Sequence, residues 1–436
     1  MKPADLIIPI SARRSAENLT SAFIVPSTQA MNTFSVPKNA RKAVVSISAC
    51  GQATEEFWSS NVLTSDSNTF GNETTLYGHS AFREIELLID GYVAGVAWPF
   101  PAIFTGGVVP GFWRPIVRID AFDLREDEIV ITPFIPMLSD GREHSFEIRV
   151  TGLDSIQNGE PKQTSVIGSN WVVTGKVFFW LDDDVTVTTS TLPKLSTPQP
   201  SISLKSSRQQ GTHGTVSFLN YSLDVSRNLS IESTIVTSVG PQTVYWKQDR
   251  VFSNVGTLSH QDNEQVIWQI THGRDEDSSG YARTFRYPLQ VTWSYNAPPD
   301  GNVTINAEID RAKITQQLGD LAFPNEWKTF DHGRLVSGCH GEPGFLGSTI
   351  NSRQNGTASY LSVPAEKQSY GSGTTEQRFV LSGVGVAPIA RVQGGTSADG
   401  IVGHGSEELY RRHIQATNDS AAYDEEVFGG WVRHTD

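Results

Sequence analysis

Apolar and polar residues alternate with a period of two in segments spread along the whole chain. In the segment REIELLID, the Ile and Leu side chains point to one face of a strand, and Glu84 and Glu86 point to the other. A short apolar run, KVFFWLD, is typical of a strand buried on both faces. The same alternation occurs in the segments RKAVVSIS, HSFEIRV, QVIWQITH, YPLQVTWSY and VTINAEID. The sequence therefore predicts an all-β fold.

The length of the chain predicts more than one hydrophobic core, because 436 residues exceed the usual size of a single domain. Three prolines among small polar residues predict a linker over 191–202. An amino-terminal domain over 1–190 and a carboxyl-terminal domain over 203–436 would flank it. We expect each to be an antiparallel β-sandwich. The best candidate for a helix is Ser406–Asp419, with Ser406 as a possible cap.

The net charge and the targeting signals limit which partners and which cellular location the sequence predicts. The net charge of −13 argues against nucleic acid and anionic membranes as partners. The first twenty residues lack the apolar core of a signal peptide, which taken alone favours the cytoplasm. Seven Asn-x-Ser/Thr acceptor sequences instead favour a secreted, secretory-pathway or vacuolar protein; they begin at Asn18, Asn72, Asn220, Asn228, Asn302, Asn355 and Asn418.

Several classes of site are excluded by their missing motifs. The chain has neither a phosphate-binding Gly-rich loop nor a dinucleotide fingerprint, and its His and Cys residues lack the spacing of metal ligands. We therefore expect no cofactor and no metal. The two cysteines, Cys50 and Cys339, allow either one disulfide or two buried thiols.

Carboxylates beside aromatic rings are the remaining candidates for chemistry. Glu55 and Glu56 stand directly before Phe57 and Trp58 in ACGQATEEFWSSNV. Two carboxyl groups can activate water and protonate a leaving group, while rings exclude water and offer flat faces to sugars. Further candidates flank or follow the Pro- and Gly-rich segment WPFPAIFTGGVVPGFWRP, and they are Asp90, Trp98, Trp113, Arg114, Asp120 and Asp123.

Each of these candidates also has a purely structural interpretation. Asp90 begins a DGY turn, where Asp is usually structural, and Trp113 would more often belong to a core. Adjacent residues at a strand end point in different directions, so we expect only one of Glu55 and Glu56 to face a given cleft. The spacing alone fits a sugar-binding lectin almost as well as an enzyme.

The same segments resemble the peptide-N-glycosidase A family of fungi and plants. The likeness is dense from Asp5 to Asp184, rests on SACGQATEEFWSSNV, SNWVVTGKVFFWLDDD and the combination GVAWPFP…FTGG…PG.WRP…DAFDL, and is looser after Pro200. It implies two jelly-roll-like sandwiches with the site at their interface. It also implies a metal-independent amidase that cleaves the bond between a protein asparagine and the first N-acetylglucosamine of an N-glycan. The implied partner is an N-glycopeptide or a denatured glycoprotein.

The resemblance also implies roles for single residues. Glu56 takes the acid role, with Glu55 as the alternative and Trp58 as the neighbouring aromatic. Asp154 and an acid of the carboxyl-terminal domain are both open as the second acid. Arginines and aromatic residues of the Pro- and Gly-rich segment would hold the sugars. The competing hypotheses are a non-catalytic glycan-binding protein and a glycoside hydrolase.

Three departures from the family pattern carry further expectations. Family members usually begin with a signal peptide and about a hundred further residues, so we expect this chain to lack the first strands of its sandwich. Ser139 stands near PMLSDG, where the family has a cysteine, which would leave Cys50 unpaired. The family is often processed into two chains.

Overall fold

The computed structural model describes most of the chain. The described residues are 2–11, 18, 20–71, 74–102, 108, 119, 125–155, 161–183, 187–211, 216–299, 301–323, 330–331, 334–335, 347–384, 406–428 and 431–434. Within these ranges strands dominate, and the one α-helix, α1, is the single turn Ile135–Leu138. Short 3-10 segments lie at Ala53–Ser60, Thr64–Asp66, Thr132–Phe134 and Pro364–Glu366.

Among the described residues, the amino-terminal region forms two five-stranded antiparallel sheets. In the first sheet the order is β1-β10-β4-β7, with β2 also paired to β10; in the second it is β3-β8-β5-β6, with β9 also paired to β8. The strands are β1 (Leu6–Pro9), β2 (Phe23–Val25), β3 (Ala30–Ser35), β4 (Ala40–Gln52), β5 (Glu84–Ile89), β6 (Tyr92–Ala97), β7 (Asp127–Val130), β8 (Glu143–Ser155), β9 (Pro161–Thr164) and β10 (Asn170–Leu181).

A single large antiparallel sheet follows, with 13 strands among the described residues. From β14 onward its strands pair in chain order, apart from the separate β19–β20 hairpin. The strands are β11 (Thr189–Ser190), β12 (Lys194–Ser196), β13 (Ser201–Gln210), β14 (Val216–Thr237), β15 (Gly240–Ser259), β16 (Glu264–Asp277), β17 (Ala282–Asn296), β18 (Val303–Leu318), β19 (Phe330–Asp331), β20 (Arg334–Leu335), β21 (Gly347–Val363), β22 (Gln368–Val384), β23 (Ser406–Thr417), β24 (Ser420–Phe428) and β25 (Trp431–His434).

The inner face of the large sheet packs on the amino-terminal region. One apolar cluster contains Phe82 and Ile148 of that region together with Trp246 and Phe252 of β15. Polar contacts cross the same boundary, because the Gln248 side chain accepts from the Val96 amide at 2.7 Å and donates to the Val96 carbonyl at 2.9 Å. The two regions are therefore continuous through one core.

A buried ion cluster explains why β5 is covered on both faces. Glu84 and Glu86, which the sequence places opposite the apolar face, are only 0% and 4% exposed. Arg227 of β14 donates to Glu84 and lies 3.2 Å from Glu86. Trp98 donates its indole N–H to Glu84 at 2.7 Å. Burial raises the pKa of Glu84, which the Arg227 charge only partly counteracts.

The predicted all-β class is confirmed, and all seven predicted strand segments lie in strands: β4, β5, β8, β10, β16, β17 and β18. The predicted helix over Ser406–Asp419 is wrong, because residues 406–417 form β23. The arginines of this segment form ion pairs with the neighbouring strand β24: Arg411 lies 2.9 Å from Glu425, and Arg412 lies 2.8 Å from Asp424. In a helix, the same arginines would instead pair with acids three or four residues away on the helix.

Part of the predicted linker is structured. Within 191–202, β12 and the start of β13 pair antiparallel with β14. The prolines lie between these short pairings, where no ladder N–H is required. Among the described residues, no helix has the length and apolar character needed to cross a bilayer.

Candidate active site

A cleft of about 360 Å³ lies where the amino-terminal region meets the large sheet. One wall comes from the 3-10 segment Ala53–Ser60 and the loop around Tyr77, and the other from β15, β16 and β17. The described residues that line it are Glu56, Phe57, Ser59, Ser60, Thr75, Leu76, Tyr77, Val108, Leu258, Asp262, Gln265, Ile267, Leu289, Val291 and Trp293. Two acidic residues, Glu56 from the 3-10 segment and Asp262 from the turn between β15 and β16, therefore line the same cleft.

The first wall begins with a tight turn after β4. A side chain at Gly51 would place its Cβ only 2.4 Å from the carbonyl oxygen of Glu55, so the chain can fold back here only with glycine. Ala53 then takes a left-handed backbone with φ of 54°. This turn fixes the direction of the side chains in the segment that follows.

Glu55 points away from the cleft into the core and is fully buried. Arg83 donates to both of its oxygens, at 2.6 and 2.7 Å. The Trp171 indole and the Gly168 amide donate at 2.8 and 2.9 Å. Burial acts to raise the pKa of Glu55, but these donors more than offset it and hold the pKa below its ordinary value. The carboxylate is therefore a buried anchor for the 3-10 segment.

Glu56 is the neighbouring acid that lines the cleft. Its side chain is half-buried. Phe57 lines the cleft beside it and stacks on Tyr77, with ring centroids 6.4 Å apart and an interplanar angle of 24°. Trp58 is only 4% exposed and belongs to the core. The aromatic surface next to Glu56 therefore comes from Phe57 and Tyr77, whereas Trp58 packs in the hydrophobic core and anchors the 3-10 segment there.

Asp262 provides the acid on the opposite wall. It lies in the turn between β15 and β16, with a left-handed φ of 70°. Gln265 donates to its Oδ1 at 2.8 Å, which fixes the carboxyl group. Burial raises the pKa of Asp262 to about 6, and the Gln265 hydrogen bond only partly opposes this. A fraction of Asp262 is therefore protonated near neutral pH.

Trp293 of β17 completes this wall. Its indole N–H donates to the Val108 carbonyl at 3.1 Å, which joins the large sheet to the described part of the Pro- and Gly-rich segment. Its ring stacks on Tyr295, with centroids 6.0 Å apart and an interplanar angle of 15°. Of this stacked pair, Trp293 is the ring that lines the cleft.

The other candidates from the sequence lie elsewhere. Asp90 occupies the β5–β6 turn, where it accepts from the Ser145 amide at 2.8 Å and contacts His144 at 2.7 Å. Trp98 is buried beside Glu84. Asp154 contacts His79 at 3.6 Å and is not among the cleft residues. Trp113, Arg114, Asp120 and Asp123 lie outside the described residues.

Sequence reasoning did not single out Asp262, Tyr77 or Trp293. Asp262 stands in SHQDNEQ between two strand patterns, a context that indicates only a polar turn. The apolar alternation of YPLQVTWSY predicts strand β17 but not which of its rings reaches a cleft. Tyr77 reaches the cleft through the loop that follows the 3-10 segments, whereas Asp262 and Trp293 reach it only through the pairing of β15, β16 and β17.

Cysteine and possible metal ligands add little to the site. Cys50 is a free, half-buried thiol that accepts from the Gln52 amide at 3.1 Å, and burial raises its pKa to about 11. Cys339 lies outside the described residues. Ser139 is buried. Within the described ranges, no group of three or more His, Cys, Asp or Glu residues is arranged to hold a metal ion.

Comparison with known proteins gives two matches to family models and one to a curated relative. The model described as peptide N-acetyl-beta-D-glucosaminyl asparaginase amidase A matches residues 1–198, and the model of the PNGase A C-terminal domain matches residues 220–289. Peptide-N4-(N-acetyl-beta-glucosaminyl)asparagine amidase A of Prunus dulcis is 34% identical over 332 residues, which covers 74% of this chain and 54% of that protein. The chain thus spans about half the length of this relative. No solved structure matches.

Proposed function

The chain belongs to the peptide-N-glycosidase A family, and we propose that it hydrolyses the amide bond between asparagine and the first N-acetylglucosamine of N-glycopeptides. The observation that carries this proposal is the cleft that Glu56 and Asp262 line together with Phe57, Tyr77 and Trp293. An amide needs both an activated water and a protonated leaving nitrogen, and two carboxyl groups in different environments can supply both.

Glu56 acts as the general base in this proposal. It takes a proton from water, and the water oxygen attacks the carbonyl carbon of the asparagine side chain. Asp262 acts as the general acid, because burial keeps part of it protonated near neutral pH. It donates its proton to the departing nitrogen as the C–N bond breaks. The products are an aspartyl peptide and a 1-aminosugar, which then loses ammonia in water.

The aromatic walls hold the sugar. Phe57 and Tyr77 offer ring surface on one side and Trp293 on the other, so a pyranose can lie between apolar faces. Ser59, Ser60 and Gln265 supply polar groups at the edges for hydroxyl and acetamido groups.

Glu55 positions Glu56 and takes no part in proton transfer. Its carboxylate already accepts four hydrogen bonds, which leaves no free oxygen lone pair directed at a substrate. We further propose that the reaction needs no metal, since the two acids supply both proton transfers. Activity in buffer containing a chelator tests this directly. A location in the secretory pathway fits the substrate and is part of the same proposal.

The assay is incubation with a denatured N-glycopeptide, followed by mass spectrometry of the peptide. Conversion of Asn to Asp is expected. Glu56→Gln and Asp262→Asn should each lower kcat by roughly 10²–10⁴-fold. Asp154→Asn is the matched control, because Asp154 pairs with His79 outside the cleft, and it should keep activity.

Three outcomes would contradict parts of the proposal. A peptide left unchanged by the wild-type protein rules out the amidase function. A peptide that keeps Asn and one N-acetylglucosamine indicates a glycoside hydrolase. Loss of activity in Asp154→Asn with activity retained in Asp262→Asn would exchange the roles of these two acids.

A further inference from the structure

An exposed apolar patch lies on the outer face of the large sheet, away from the cleft. Trp268 is 56% exposed, Val255 is 45% exposed and Val266 is 37% exposed. Val255 pairs directly with Trp268, and Val266 lies two residues before Trp268 on the same face of β16. A tryptophan and two valines together in water are unusual on a protein surface and indicate that something covers them.

An acceptor sequence for N-glycosylation lies on this same face. Asn220 of β14 pairs with Thr257, which pairs with Val266; Ser222 pairs with Val255. Asn220 and Ser222 of the acceptor sequence therefore lie on β14, on the same face of the sheet as the patch. Val255 lies on the next strand, β15, and Trp268 on the strand after it, β16. The intervening Tyr221 points inward and is 7% exposed. The acceptor faces outward as modification requires.

The separation matches the reach of a linked glycan. Strand β16 lies two strand spacings from β14, which is a distance of about 10 Å across the sheet. Trp268 is also displaced from Asn220 by two residues along the strand direction, which is about 7 Å. The Asn220 side chain and its first sugars can cover this distance. Thr257 donates to Asn220 Oδ1 at 2.9 Å, which fixes the amide oxygen towards β15, whereas a glycan would be attached at Nδ2.

We propose that Asn220 carries an N-glycan whose first sugars lie on Trp268, Val255 and Val266. The apolar face of an N-acetylglucosamine ring matches the flat indole, and Gln290, paired with Trp268, lies beside it to bind hydroxyl groups. The modification requires passage through the secretory pathway. It is independent of the amidase activity, because the patch and the cleft lie on opposite faces of the sheet.

A second acceptor sequence provides an internal control. Asn228 lies on the same strand and the same face as Asn220, eight residues along. Its neighbours across the sheet are Asp249 and Arg274, which are charged. Neither of these described neighbours offers an apolar ring that a glycan at Asn228 could cover.

The experiment expresses the protein with a secretion leader in a eukaryotic host. Glycopeptide mass spectrometry measures occupancy at Asn220, and thermal unfolding compares wild type, Ser222→Ala, Trp268→Ala and the double variant. Ser222→Ala removes the acceptor sequence but keeps Asn220. We expect Asn220 to be occupied and Trp268→Ala to lower Tm by about 1–2 °C only when the glycan is present.

The proposal is overturned if Asn220 is unoccupied in the secreted protein. It is also overturned if Trp268→Ala shifts Tm equally with and without the acceptor sequence. The same cycle with Asn228→Gln should show no coupling to Trp268, and coupling of equal size there would assign the effect to glycans in general.

Discussion

Substitution by glutamine should have different effects at the adjacent acids: at Glu55 it should lower the stability of the fold, and at Glu56 it should lower the activity. Glu55→Gln replaces a carboxylate that accepts two hydrogen bonds from Arg83, one from Trp171 and one from Gly168. Glutamine keeps one acceptor oxygen and turns an N–H group towards these donors. It also leaves the buried Arg83 charge without a counter-ion.

The magnitude follows from burial. Arg83 and Glu55 are both fully buried, and breaking such a pair by removing one charge costs about 3–5 kcal/mol. The entropy of unfolding for a chain of 436 residues is about 0.9 kcal/mol per degree. We therefore expect Tm to fall by about 3–5 °C if the chain unfolds as one unit. Glu56→Gln, at a half-buried position without this network, should change stability by less than about 0.5 kcal/mol.

The pH dependence gives a second test of the same pair. The pKa of Glu55 is held below its ordinary value of 4.5, so its contribution is fully present above that value. It is lost as pH falls through the lower, folded-state pKa. The Tm difference between wild type and Glu55→Gln should therefore be constant from pH 6 to pH 8 and shrink in acid.

Differential scanning fluorimetry of both variants, with glycopeptide hydrolysis measured at the same time, checks the whole argument. An unchanged Tm in Glu55→Gln would show that the Glu55–Arg83 pair does not stabilise the fold. The prediction is also wrong if Glu56→Gln lowers Tm as much as Glu55→Gln does, because the two side chains would then share one structural role.

Further predictions concern the cleft, the sheet and the thiol. Hydrolysis by the wild type should fall as pH rises through about 6, since Asp262 must be protonated to donate, and the residual activity of Asp262→Asn should lack this limb. Gly256→Ala should destabilise by about 1–3 kcal/mol in denaturant titrations, because its Cβ would lie 2.3 Å from the Tyr221 ring; Gly371→Ala, whose nearest contact is at 4.0 Å, is the control. Cys50 should resist iodoacetamide at pH 8 until the protein unfolds, as peptide mapping would show, because burial raises its pKa to about 11.

The strands could be predicted from the sequence because the alternation of apolar and polar residues within each segment is sufficient to indicate a strand. REIELLID forms β5 whichever partner covers it. The pattern did not show that Glu84 and Glu86 would be buried, because that depends on Arg227, more than a hundred residues away. The helix over 406–419 failed for the same reason: β22 and β24 supply pairing that a local reading of SEELYRRHIQATND does not contain.

The residues of the site likewise differ in whether their proximity could be predicted from the sequence. Glu55 and Glu56 are sequence neighbours, so their proximity was known and only their directions were open; the tight turn at Gly51 decides these. Asp262 accepts a hydrogen bond from Gln265 at 2.8 Å in a hairpin turn. It lines the same cleft as Glu56 only after β15 and β16 pair in register and the large sheet docks on the amino-terminal core. A one-residue slip in that register would turn Ile267 outward and Trp268 inward. The register that places Asp262 in the cleft therefore also leaves Trp268 on the outer face, so the two proposed sugar-contacting surfaces have one structural origin.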